Sequence, residues 1–245
     1  MIREILAAAT IIAQMSQPAL ADARNVVLVH GATMDGSTWH DVYELLSKDG
    51  LKVSIVQLPH TSLADDVDAT RLILKQQTGP TVLVGHSYAG GVITEAGNSN
   101  NVGALVYVAA FQPEQGETIN DLASRYPMKF HVKMLDDKSF VPDPQYYHED
   151  IGADLPKATT DFLSASSKPM TFEPYSVRFH NTPWKDKPTF GIITTEDHTL
   201  SPDLLRWMYS RSNTKAVEIK ASHMVQMSQP KRVADVIMEA VRAVE

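Results

Sequence analysis

A parallel sheet covered by helices, an α/β fold, is the architecture the sequence predicts, on two observations. Short runs rich in valine, isoleucine and leucine alternate with stretches of helical period, and each run is closed by glycine or proline within a few residues. Strands that are apolar at consecutive positions belong to sheets covered on both faces, and short βα connections make neighbouring strands parallel.

Taken in order, residues 25–30 (NVVLVH) form an unbroken apolar run ended by Gly31, a strand buried on both sides. A helix over residues 37–48 follows, with Trp39, Val42, Leu45 and Leu46 as its stripe and Gly50 as its stop. Residues 52–58 are a second strand broken by Pro59. Residues 63–77 are a second helix, apolar at Leu63, Val67, Leu72 and Leu74 and closed by Thr78-Gly79-Pro80. Residues 81–84 form a third strand, 90–96 a third helix and 103–109 a fourth strand.

The rhythm stops after Phe111. Residues 112–187 contain Pro113, Pro127, Pro142, Pro144, Pro156, Pro169, Pro174 and Pro183 with only short apolar clusters between them, so this stretch does not continue the sheet. Inserted after the C-terminal end of a strand, it is placed to lie over the edge where open α/β sheets bind ligands and to serve as a cap; a plain surface elaboration is the alternative. Residues 188–194 then give a fifth strand, 202–209 a helix, 216–219 a sixth strand and 233–244 a last amphipathic helix. The prediction is one domain over residues 22–245 with a six-stranded, mostly parallel sheet. Arg3, the apolar run 5–13 and Ala19-Leu20-Ala21 read as a secretory signal over residues 1–21, which would place the protein in the periplasm or outside the cell; an ordinary N-terminal helix of a cytoplasmic protein is the alternative. The apolar run is too short to span a bilayer.

Composition removes several classes of function. The 245 residues carry 22 Lys+Arg against 29 Asp+Glu, a net charge of −7, so no diffuse basic field exists to hold nucleic acid. Cysteine is absent, which excludes thiolate nucleophiles and cysteine-ligated metal centres. The sequence is silent on oligomeric state, and a homodimer is compatible with it.

The chemistry starts in LVGHSYAGG. An apolar strand runs through Gly85-His86 into Ser87 and straight into a helix, the context of a nucleophile elbow, in which a tight turn exposes the serine Oγ. Ala89 stands where the strict G-x-S-x-G pattern has its second glycine. Among nine histidines, His223 follows the last strand and precedes the final helix, which brings it to the same sheet edge as Ser87 as the base. His30 and His86, in turns at strand ends, read as structural imidazoles, and His198 as a loop neighbour. Thr195-Glu196-Asp197 ends the fifth strand and supplies the acid that orients the imidazole, Asp197 with Glu196 as the fallback. The backbone N–H of Tyr88 and of Ala32, in the loop after the first strand, are the donors for a tetrahedral oxyanion, and Gly31 lets that loop approach the substrate. Tyr146, Tyr147, Phe162, Met170, Phe172 and Trp184 suggest an apolar lining supplied by the insert, or its core.

The segments VLVHGATMDGSTW, LVGHSYAGGVI, ALVYVAAFQP, TTEDHTLSPDLLRW and EIKASHMVQMSQPKRV resemble the plant methylesterase and hydroxynitrile lyase branch of the α/β-hydrolase superfamily and its bacterial esterase relatives. The likeness runs from about residue 25 to 236 and is weakest in the insert. It implies the α/β-hydrolase fold, Ser87, Asp197 and His223 as a catalytic triad, and Ala32 with Tyr88 as oxyanion hole. The lyase members place a threonine after the histidine of the first-strand loop and a lysine after the catalytic histidine; Gly31 and Met224 stand here, the pair typical of the esterases. The resulting expectation is a serine carboxylesterase acting on small-molecule esters, with no metal or organic cofactor. A C–C cleaving lyase relative and a low-turnover ligand receptor on the same fold are the alternatives.

Overall fold

The computed structural model describes residues 25–244; the expected signal over residues 1–21 lies outside them. Six parallel strands form the central sheet: β1 (Asn25–Val29), β2 (Lys52–Val56), β3 (Thr81–His86) and β4 (Val102–Val108), followed after the insert by two more. Their order is β2-β1-β3-β4, continued beyond β4 by the strands Thr189–Thr194 and Lys215–Ile219. The intervening helices are α1 (His40–Lys48), α2 (Leu63–Leu74) and α3 (Ala89–Ala96).

Alternation along each strand divides the core into two layers. Val27 and Val29 of β1, Leu83 of β3 and Leu105 and Tyr107 of β4 face one way and pack with α2 and α3. Val26, Leu28, Val82, Val84, Ala104 and Val106 face the other way, onto Trp39 and α1. The central strands β1 and β3 are therefore buried on both faces along their whole length, as the sequence predicts. The edge strand β2 carries an exposed Lys52, which discourages pairing with a further strand. Leu72 departs from its expected place: it is 60% exposed, and the buried face of α2 takes Asp66 and Thr70 instead.

The insert has its own structure. It contains α4 (Ile119–Ala123), a three-stranded antiparallel sheet of β5 (Val132–Met134), β6 (Ser139–Pro142) and β7 (Met170–Thr171), and the helices α5 (Tyr147–Ile151), α6 (Lys157–Ala165) and α7 (Glu173–Ser176). Thr118 and Asp121 close a reciprocal capping box at the start of α4. Phe140, Met170, Phe179 and Trp184 join the same core layer as α2 and α3, so insert and sheet share one hydrophobic body. The insert also bonds to loops at the C-terminal ends of four strands. Lys168 N–H donates to Thr33, Thr171 N–H to His60, Lys129 N–H to the His198 carbonyl, and the hydroxyl of Thr199 donates to Asp150. Ser222 reaches Asp154.

The chain then returns to the sheet through β8 (Thr189–Thr194), α8 (Pro202–Arg211) and β9 (Lys215–Ile219), and closes with α9 (Val225–Ser228) and α10 (Pro230–Arg242). The last helix starts three residues before its expected position, because Pro230 occupies the first helical turn, where its missing N–H costs nothing. Val233, Val236, Ile237, Ala240 and Val241 bury its apolar face against the α1 layer. Among the described residues no helix is long and apolar enough to cross a membrane.

Candidate active site

Strand β3 ends at His86, and Ser87 follows with φ +57°, a left-handed conformation that an L-residue with a side chain adopts only under constraint. The constraint is visible in the backbone. Ser87 N–H donates to the Val108 carbonyl, and the Ser87 carbonyl accepts from the N–H groups of Gly90 and Phe111. The turn is tight enough that a Cβ on Gly90 would lie 1.9 Å from the Phe111 carbonyl oxygen, and one on Gly85 2.7 Å from that of Ala89. The second compulsory glycine therefore stands at position 90 rather than 89, which explains why Ala89 is accommodated.

The three side chains expected at this edge are brought together. His223 Nε2 lies 2.8 Å from Ser87 Oγ, and His223 Nδ1 lies 2.8 Å from Asp197 Oδ2. Ser87, Asp197 and His223 are 7%, 5% and 1% exposed. The carboxylate is fully engaged: Oδ2 also accepts from Thr194 Oγ1 at 2.6 Å and Oδ1 from the Leu200 amide at 2.8 Å. Glu196 points to solvent and pairs with Lys220 at 3.4 Å, so it does not share the position of Asp197. His198 is exposed and donates to the Glu149 carbonyl. His86 has a structural place, its Nε2 donating to the His223 carbonyl at 2.9 Å. A hydroxyl, an imidazole and a carboxylate in this order can pass a proton from oxygen to nitrogen while the carboxylate fixes the ring.

Ala32 and Tyr88 both line the cavity at Ser87. Among the described residues no group accepts a hydrogen bond from either backbone N–H. Tyr88 also sits at the start of α3, where the helix dipole favours negative charge. Gly31 brings its loop against the serine: a Cβ there would lie 3.1 Å from Ser87 Cβ and 2.9 Å from His86 Nδ1. Met224 is placed differently from expectation. It is fully buried, packs with Met34, Tyr147, Ile151, Leu155 and Leu163, and does not line the cavity, because α9 begins immediately after it and turns its side chain inward.

The cavity measures about 30 Å³ and is lined by Ala32, Met34, Phe111, Met128, Phe130, Ile151, Tyr175 and Thr199 around Ser87, Tyr88 and His223. The insert does contribute to it, through residues other than those expected. Tyr147, Met170 and Trp184 are core, Phe162 is 68% exposed, and Tyr146 stacks on His131 outside the cavity. Phe172 stacks on Phe140. Nothing in the one-dimensional pattern separates Phe130 or Tyr175 from these; only the path of the insert does. Among the described residues no group of three or more histidine, aspartate or glutamate side chains is arranged to hold a metal ion.

Several titratable groups lie buried beneath the site. Burial pushes the His30 imidazole down to about 4, that of His60 down to about 3 and that of His86 well below its ordinary value. The fold thus holds neutral rings, whereas the unfolded chain protonates the same residues near pH 6.5. Their stabilisation is complete above about pH 6.5 and is lost as pH falls toward about 4 for His30 and about 3 for His60, on the order of 3 and 5 kcal/mol respectively. Asp66 works in the opposite direction: burial pushes its carboxyl up to about 6, so the fold regains some stability as that group takes a proton. Three imidazoles outweigh one carboxyl, and the thermal midpoint is expected to fall continuously between about pH 6.5 and 4. A flat profile over that window would contradict the burial of neutral rings.

Comparison with known proteins agrees with the architecture. A carbendazim hydrolyzing esterase of Nocardioides sp. (strain SG-4G) is 30% identical over 136 residues, covering 46% of this chain and 56% of that enzyme, so the match spans little more than half of the relative. Salicylic acid-binding protein 2 of Nicotiana tabacum is 24% identical over 90% of this chain and 98% of its own. A solved structure of a pyrethroid hydrolase from Sphingobium faniae JZ-2 shares the fold, with a TM-score of 0.79 at 20% identity over 90% of this chain and 98% of that one. Residues 26–236 match the alpha/beta hydrolase family, and the chain belongs to it.

Proposed function

We propose that the protein is a serine hydrolase that cleaves small carboxylic esters through an acyl-enzyme on Ser87. The observation that carries this reading is the unbroken line from Ser87 Oγ through His223 to Asp197, 2.8 Å at each step, on a serine held at φ +57°. His223 Nε2 takes the Oγ proton as the oxygen attacks the ester carbonyl carbon. The oxyanion that forms is received by the Ala32 and Tyr88 amides. When the tetrahedral intermediate collapses, the C–O bond to the alcohol breaks, and the alkoxide leaves with the proton from His223. Water then attacks the acyl-Ser87 carbonyl, giving its proton to His223, and the carboxylic acid departs as Oγ recovers a proton.

The cavity supports the small-ester part of the proposal. About 30 Å³ is room for two or three heavy atoms, and Met128, Phe130, Ile151 and Tyr175 close it from the insert, which acts as the cap. The acyl group must stay on Ser87 while the alcohol leaves, so the closed space is assigned to the acyl side. p-Nitrophenyl acetate is expected to exceed the octanoate in kcat/KM by about tenfold or more, and Phe130→Ala to narrow that ratio. Equal or better turnover of the octanoate would count against the assignment.

The relative named for carbendazim hydrolysis and the solved pyrethroid hydrolase support hydrolysis over the alternatives. Lyase chemistry on this fold would gain from a cation beside the base, and the residue following His223 is the uncharged, buried Met224. Mandelonitrile is therefore the control substrate, expected to be left nearly untouched. Export remains part of the proposal, with residues 1–21 as the signal and residues 22–245 as the mature domain; periplasmic fractionation of the full chain tests it.

A further inference from the structure

Asp66 lies in the first turn of α2 and is completely buried, an unusual place for a carboxylate. It is not needed as a cap, because Ser62 Oγ already accepts from the Asp65 amide and Asp65 in turn bonds Thr61 and Ser62. Both donors to Asp66 are neutral. Oδ1 accepts from the His60 amide at 2.8 Å and Oδ2 from the Tyr88 phenol at 2.7 Å. The ammonium of Lys168 is bonded elsewhere, to the Leu58 carbonyl at 2.5 Å. A buried carboxylate without a paired cation is costly, and burial accordingly pushes this one up to about 6.

What the carboxylate holds is the residue next to the nucleophile. The Tyr88 phenol is tied to Asp66 at its tip, and its ring stacks on Tyr175 at 6.0 Å with 23° between the planes. The other arm runs through His60, itself at φ +64°, into the loop after β2. Leu58 N–H in that loop donates to His30 Nε2 at 3.0 Å, and His30 Nδ1 donates to the Gly31 carbonyl at 3.0 Å, one residue before Ala32. The single carboxylate thus joins the two backbone segments that carry the Ala32 and Tyr88 amides.

We propose that Asp66 is a positioning residue for the oxyanion site, acting through the Tyr88 phenol on one side and the His60 loop on the other. This rests on the reading of the Ala32 and Tyr88 amides as the oxyanion donors. Donor placement acts on the transition state rather than on substrate binding, so its loss lowers kcat and leaves KM in place.

Tyr88→Phe keeps the ring, its stacking and the backbone amide and removes only the tether. For p-nitrophenyl acetate, kcat is expected to fall about tenfold or more with KM within about twofold. The inhibition constant of methylboronic acid, which adds to Ser87 as a tetrahedral anion and whose methyl group matches the acyl part of the acetate, should rise by the same factor. Asp66→Asn, which keeps the acceptor for His60, should give a smaller loss in the same two quantities and carries the test alone if Tyr88→Phe does not fold. The double variant should be no worse than Tyr88→Phe, because both changes cut one path. A folded Tyr88→Phe enzyme with unchanged kcat and boronate affinity, lowered only in thermal midpoint, would overturn the proposal and leave the Ser87 reading standing. A wild type that neither hydrolyses the ester nor binds the boronate would bring down the site reading and this inference with it.

Discussion

Replacing Ser87 by alanine is expected to lower ester hydrolysis by about three orders of magnitude or more, with the fold intact. The magnitude follows from the way nucleophile, base and acid act as a unit: without Oγ, no covalent intermediate forms, and His223 is left to activate water from a position built for another oxygen. The same residue makes a second, opposite prediction for stability. Ser87 sits at φ +57°, where glycine carries no penalty for lacking a Cβ, so Ser87→Gly should be equally inactive yet about 1 kcal/mol more stable than Ser87→Ala. Initial rates on p-nitrophenyl acetate and denaturant midpoints of the two variants check both halves. An active Ser87→Ala enzyme would remove the nucleophile from the mechanism.

The second large effect is expected at Asp197. Its Oδ2 holds His223 Nδ1 at 2.8 Å while Thr194 and the Leu200 amide hold the carboxylate itself. Asp197→Asn preserves the volume but presents an amide that can donate to the ring, favouring the tautomer with its proton on Nε2, where it cannot accept from Ser87. Turnover should drop by about 10³ to 10⁴. Glu196→Gln, on the adjacent residue but paired with Lys220 in solvent, should stay within about twofold. The reverse ranking of the two variants would transfer the acid to Glu196.

The residues proposed as nucleophile, base and acid are legible in the sequence because each follows a strand that is itself legible: a buried parallel strand is an unbroken apolar run, and the loop after it lies at one edge of the sheet. Ser87 after β3, Asp197 after β8 and His223 after β9 meet for that topological reason. The insert is opaque for the complementary reason. Its β7 is only two residues long, and β5 leaves Lys133 and Met134 exposed, so no period develops. Side chains such as Phe130 and Tyr175 reach the cavity only because the segment is folded back over the sheet. Asp66 is hidden differently, since a charged residue in the first turn of a helix reads as a favourable dipole contact, and only the packing of α2 against α3 reveals that it faces Tyr88.

Covalent labelling tests the central claim most directly. The full chain is treated with a fluorophosphonate, which traps the serine that attacks it, and the site is located by peptide mass spectrometry. One label per chain on Ser87, slowed strongly in His223→Ala and absent in Ser87→Ala, is the predicted result. Labelling of a different serine, or ester turnover that continues with Ser87 unlabelled, would contradict it.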